Sequence, residues 1–73
     1  MTYYTARLRQ IREANELTQR EMSDILGISQ QHYSMYELGK RTLDIKQVIH
    51  ICHTLNVSAD YLLGLTDERK SLR

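Results

Sequence analysis

Apolar residues recur along the chain at spacings of three and four, and no stretch sustains the strict alternation of a half-buried strand. The pattern predicts helices. Tyr4, Leu8, Ile11 and Asn15 align on one face of a first helix over about residues 3–14. Leu17-Thr18-Gln19-Arg20-Glu21-Met22 then places a hydroxyl where it can accept from the third backbone N–H of a new helix. Glu21 can reach back to the Thr18 N–H, and Leu17 and Met22 flank the pair as a hydrophobic staple. The same frame returns at Ile28-Ser29, Leu43-Asp44 and Val57-Ser58, with Tyr33, Val48 and Leu62 as the second apolar member. Gly27, Gly39 and Gly64 stand where a helix end takes a left-handed residue, and Asn56 is a substitute for one. Four more helices are therefore expected, at about 19–26, 30–38, 45–55 and 59–63. In the fourth, Ile45, Val48, Ile49, Cys52 and Leu55 form the apolar stripe, with Ile51 on its flank. That stripe is wide enough to touch several neighbours, so the fourth helix is expected at the centre.

Composition narrows the class. Seventy-three residues allow one domain, and 41% hydrophobic with 26% charged residues is a globular balance. With no Pro and three Gly, the elements are long relative to the breaks, and an all-α fold follows. Residues 1–65 are expected to form the folded domain and 66–73 a short polar tail that frays. Cys52 is the single cysteine, which excludes an intramolecular disulfide and suits a reducing cytoplasm. Neither a membrane span nor the apolar core of a signal peptide is present in the sequence, so a soluble cytoplasmic chain is expected. A net charge of +1 neither demands nor forbids a polyanionic partner; the placement of the charges must decide.

Between the second and third helices, Leu26-Gly27-Ile28-Ser29 leaves so short a turn that the two must cross steeply, as in a helix-turn-helix. The stretch LTQREMSDILGISQQHYSMYELGKR, followed by LDIKQVIHICHTLNVSADYLLG, resembles the Cro/CI phage-repressor type of helix-turn-helix family, also called the xenobiotic-response-element type. The likeness covers residues 5 to 64, and several features coincide in register: Leu17-Thr18-Gln19, the turn itself, Tyr36-Glu37-Leu38-Gly39-Lys40 and Val57-Ser58-Ala59-Asp60-Tyr61-Leu62-Leu63-Gly64. The resemblance implies a compact, five-helix, lambda-repressor-like DNA-binding domain, usually a repressor that binds double-stranded DNA as a homodimer on a palindromic operator. The sequence departs from the family pattern at Leu43, where Pro is frequent, at Ser23, where Ala is usual, and at Leu38, where Arg is common. The last change removes a phosphate contact and exposes an apolar side chain.

On a helical wheel Tyr33 and Tyr36 face inward with Glu37 at the margin, while Gln31, Ser34, Met35 and Leu38 point away and Gln30 projects from the first turn. Solvated helix faces usually carry Lys and Glu, yet Ser29 to Tyr36 contains no Lys, Arg, Asp or Glu. Given the resemblance, Gln30, Gln31, Ser34 and Met35 are the candidate base readers: a Gln amide can bond adenine N6 and N7, and Met can meet a thymine methyl. Gln19, Ser29, Lys40 and Arg41 match the family's phosphate-binding positions, and Lys46 can join them. The resemblance also implies a structural ion pair, Arg12 with Glu37, joining helices one and three. It places the dimer interface near Asn56, Ser58, Tyr61 and Leu65. Arg7, Arg9 and Arg20 read as solvating charges, and Glu21 and Asp24 as a solvated face of helix two.

Other chemistries find little support. His50 and His53 share a side of helix four while Cys52 lies on the apolar stripe, so these three do not converge and no metal or other cofactor is expected. No phosphate loop, paired carboxylates or nucleophile elbow suggests an enzyme, and no small-molecule ligand is evident. The competing class is a protein-interaction module, such as an antitoxin-like partner with little or no DNA binding, which the net charge and Leu38 would suit.

Overall fold

The computed structural model describes residues 3–72, and among these the chain forms five helices: α1 (Tyr4–Ala14), α2 (Gln19–Leu26), α3 (Gln30–Leu38), α4 (Ile45–Leu55) and α5 (Ala59–Leu62). Four starts carry the expected caps. The Thr18 hydroxyl accepts from the Glu21 N–H at 3.0 Å while Glu21 accepts from the Thr18 N–H at 2.9 Å, a complete capping box. Ser29, Asp44 and Ser58 accept from the N–H groups of His32, Gln47 and Tyr61 at 3.0, 2.8 and 3.2 Å. At the turn, Gly27 has φ +70°, and a Cβ built there would meet no atom within 4 Å. Backbone conformation, not crowding, is what calls for glycine.

The core is built from every helix and from the segment before α5. Leu8, Ile11, Met22, Tyr33, Ile51, Val57 and Leu62 have no exposed surface, each burial of an aliphatic side chain being worth about 1.5–3 kcal/mol. Buried Ser23, its hydroxyl donating to the Arg20 carbonyl at 2.7 Å, keeps α2 small beside the turn.

Three expectations need correction. First, α4 buries a different edge of its stripe. Ile51 is fully covered, whereas Ile45 and Ile49 are 77% and 52% exposed. At about 100° per residue the apolar positions of α4 span an arc of roughly 160°, too wide for periodicity alone to say which edge turns inward. The helix packs on α2 and α5, while α1 reaches α3 and α5, so α4 is not a hub. Second, Arg7 is not a solvating charge. It is 2% exposed; Nη1 donates to the Tyr61 carbonyl at 2.6 Å and the Thr66 carbonyl at 2.8 Å, and Nη2 meets Asp67 at 2.7 Å. The physical reason lies beyond the end of α5, where the chain folds back and brings the Thr66 carbonyl beside that of Tyr61, which also takes the Gly64 N–H; the guanidinium binds both carbonyls at once. Third, the C-terminal segment is docked. The Ser58 N–H donates to the Lys70 carbonyl at 2.9 Å, and the Leu72 N–H to Asn56 Oδ1 at 3.1 Å. Arg73 lies outside the described residues.

Candidate nucleic-acid interface

The helix-turn-helix presents α3 on a rigid base. Tyr33 and Tyr36 bury against the core with their rings edge to face, 6.3 Å apart, and this fixes the rotation of α3 about its axis. Gln30, Gln31 and Leu38 are left exposed, with Ser34 and Met35 half-buried between them. The backbone N–H groups of Lys40 and Arg41 fold back onto the Met35 carbonyl at 2.9 and 3.2 Å, so both exposed cations stand at the C-terminal end of α3. Lys46 is exposed on the first turn of α4.

A charge network lies beneath this face. Arg12 Nε and Nη2 grip the two oxygens of Glu37 at 2.7 and 3.2 Å, and Arg12 Nη1 donates to the Leu17 carbonyl at 2.8 Å. One guanidinium thus ties the end of α1, the approach to α2 and the last turn of α3. Glu37 also accepts from the Tyr33 hydroxyl and, at 3.2 Å, from Gln19 Nε2. Burial would push the Glu37 carboxyl up, but the bonds from Arg12, Tyr33 and Gln19 outweigh it and hold the group below its ordinary range. Burial first, and then the neighbouring Glu37 carboxylate, drive the Tyr33 phenol far up, so it stays a donor. Glu37 is the only carboxylate of α3, and Arg12 neutralises it. A polyanion approaching α3 meets no uncompensated negative charge on that helix.

Two expected phosphate binders are occupied within the chain. Gln19 is half-buried with its amide on Glu37, and the Ser29 hydroxyl caps α3. What α2 offers outward is its first-turn backbone, the N–H groups of Gln19 and Arg20, since Thr18 takes the Glu21 N–H. At the surface expected to pair two copies, the C-terminal segment bonds Asn56 and Ser58, and the Tyr61 ring lies under the Arg7 guanidinium at 3.9 Å with Arg69 at 5.8 Å. Leu65 is 67% exposed. His50 and His53 are exposed and Cys52 is buried between them; among the described residues no three metal-ligating side chains cluster.

Sequence reasoning passed over His32. Its Nε2 lies 3.0 Å from the Tyr36 hydroxyl, the rings 5.1 Å apart and tilted by 55°. The i, i+4 spacing was the available signal.

Residues 5–68 match the helix-turn-helix domain family. The chain belongs to the Cro/CI type of that family. The family match runs through Thr66 and Asp67, the partners of Arg7. Among curated relatives, the chain is 45% identical over 67 residues to YqaE of Bacillus subtilis (strain 168), an uncharacterised HTH-type transcriptional regulator, covering 90% of this chain and 58% of the relative. It is 40% identical over 57 residues to the SPbeta prophage-derived uncharacterised HTH-type transcriptional regulator YonR of the same organism, covering 78% of this chain and 53% of the relative. It is 37% identical over 68 residues to the cryptic phage CTXphi transcriptional repressor RstR of Vibrio cholerae, covering 90% of this chain and 61% of the relative. This helix-turn-helix chain therefore spans between about half and two thirds of the length of these three proteins. No solved structure matches it.

Proposed function

We propose that the chain is a sequence-specific DNA-binding transcriptional repressor of the cytoplasm that lays α3 in the major groove and binds a palindromic operator as a homodimer. The observation that carries this reading is the α3 face: an uncharged, hydrogen-bonding surface of Gln30, Gln31 and Ser34 around Met35, with Lys40 and Arg41 at its edge. Such a face can read base edges while the flanking cations and the α2 N-terminus hold phosphates. The relatives named as transcriptional regulators, one of them a phage repressor, support it. In the dimer, Leu65 and the docked segment beside Asn56, Ser58 and Tyr61 form the pairing surface, spacing the recognition helices by about one DNA turn, roughly 34 Å.

Selection of bound duplexes from a random pool, followed by binding of single variants, tests the reading. Gln31→Ala is expected to lose about 1–3 kcal/mol on the selected duplex and little on random DNA. Lys40→Ala is expected to weaken both alike and to make the slope of log affinity against log salt shallower by about one. A pool that yields no enriched sequence, with no binding at low salt, would instead fit a protein-interaction module.

A further inference from the structure

His32 is the one side chain between Ser29 and Tyr36 able to carry positive charge. It is half-buried on α3, its backbone N–H capped by Ser29 and its ring held through Nε2 by the Tyr36 hydroxyl at 3.0 Å. Tyr36 is itself only 3% exposed, so the core fixes the hydroxyl and the hydroxyl fixes the imidazole. On the wheel, His32 borders Met35 on one side and Tyr36 on the other, at the edge of the outward face. That edge turns toward the segment after α3: burial raises the proton affinity of the Tyr36 phenol first of all, Asp44 adds to it and Arg41 opposes it. Among the described residues Nδ1 makes no hydrogen bond, which leaves it for a ligand.

We propose that His32 is a DNA contact of α3 that binds a backbone phosphate as the imidazolium, so that the chain takes up a proton when it binds. The inference rests on the DNA-binding reading above. In the protonated ring both nitrogens donate: Nε2–H to the Tyr36 oxygen and Nδ1–H to a phosphate oxygen. The neutral ring can satisfy Tyr36 but brings no charge. An array of phosphates favours the imidazolium, and imidazole is the side chain that titrates between about pH 5 and pH 8. With no fixed cation on the neighbouring α3 positions, proton uptake at this ring sets how much positive charge the helix brings into the groove.

The test uses the full chain and a duplex it selects from a random pool, with affinity read by fluorescence anisotropy from about pH 8 to about pH 5.5. The expected result is binding about tenfold tighter at the acid end than at the alkaline end. His32→Gln is expected to abolish this slope, while a double variant, His50→Gln with His53→Gln, retains it. Calorimetry in two buffers of different ionisation enthalpy is expected to show proton uptake by the unaltered chain. Zero uptake overturns the proposal even if His32→Gln is poorly folded, as does a slope that survives His32→Gln. Tight, pH-independent binding overturns it while leaving the DNA-binding reading intact; absence of binding at every pH overturns both.

Discussion

Glu37 takes donors from three different elements, Arg12 on α1, Gln19 on α2 and Tyr33 on α3. Removing it would leave a guanidinium whose side chain is only 12% exposed without its anion. Glu37→Ala is expected to cost about 2–4 kcal/mol in urea unfolding, more than an exposed pair and approaching the cost of orphaning a buried charge. Because the folded state holds the Glu37 carboxyl below its ordinary value of 4.5, the unfolded chain binds that proton more readily. The stability it contributes is complete above that range and is lost as pH falls through the depressed folded value. The denaturation midpoint should therefore fall less between about pH 5 and about pH 3 for Glu37→Gln than for the unaltered chain. The meeting of Arg12 with Glu37 was legible in the sequence through the family resemblance and the wheel. The rest of the network was not, because Gln19 reads as a surface residue until the crossing of α2 and α3 brings it over the carboxylate. His32 was not legible for a related reason: its bond to the Tyr36 hydroxyl depends on the packing that buries that phenol.

At the scale of elements, the side-chain caps did most to make the helices readable, since a hydroxyl or carboxylate between two apolar positions has few other uses. The boundary between α1 and α2 is less plain. There the chain turns at Glu16, with φ +57°, and the Leu17 N–H returns to the Arg12 carbonyl at 3.1 Å. A left-handed residue ends α1, but the position carries a Cβ where glycine would be unstrained. Glu16→Gly is expected to raise stability by about 0.5–1 kcal/mol, despite the greater freedom it gives the unfolded chain. A fall in the midpoint would show that the Glu16 side chain contributes more than its backbone costs. In α4 the sequence showed that a helix exists and that much of it is apolar. Which edge is buried depends on where α2 and α5 lie, a tertiary fact, and the exposed pair Ile45 and Ile49 records that choice.

Across the whole molecule, the fold class and all five helices could be read from local signals, whereas the packing of residues 66–72 could not. Polar composition made that segment look solvated, yet its backbone is what the body of the domain binds. Arg7 illustrates the division of labour. Asp67 is 70% exposed and adds little; the two carbonyls, reached by a charged donor, carry the contact at about 1.5–3 kcal/mol each. Asp67→Ala is thus expected to cost under about 1 kcal/mol and Arg7→Met several times that. These bonds also have a consequence in time. They join positions 54, 59 and 60 residues apart, closing a loop that holds α2, α3 and α4 whole. Closing a loop is entropically costly until the intervening chain has condensed, so the guanidinium finds its carbonyls after the helices have paired. Stopped-flow measurements on Arg7→Met are then expected to show faster unfolding and a nearly unchanged refolding rate. What the buried arginine sets is the lifetime of the folded state, and with it how long an unfolding-dependent protease must wait for this chain to open.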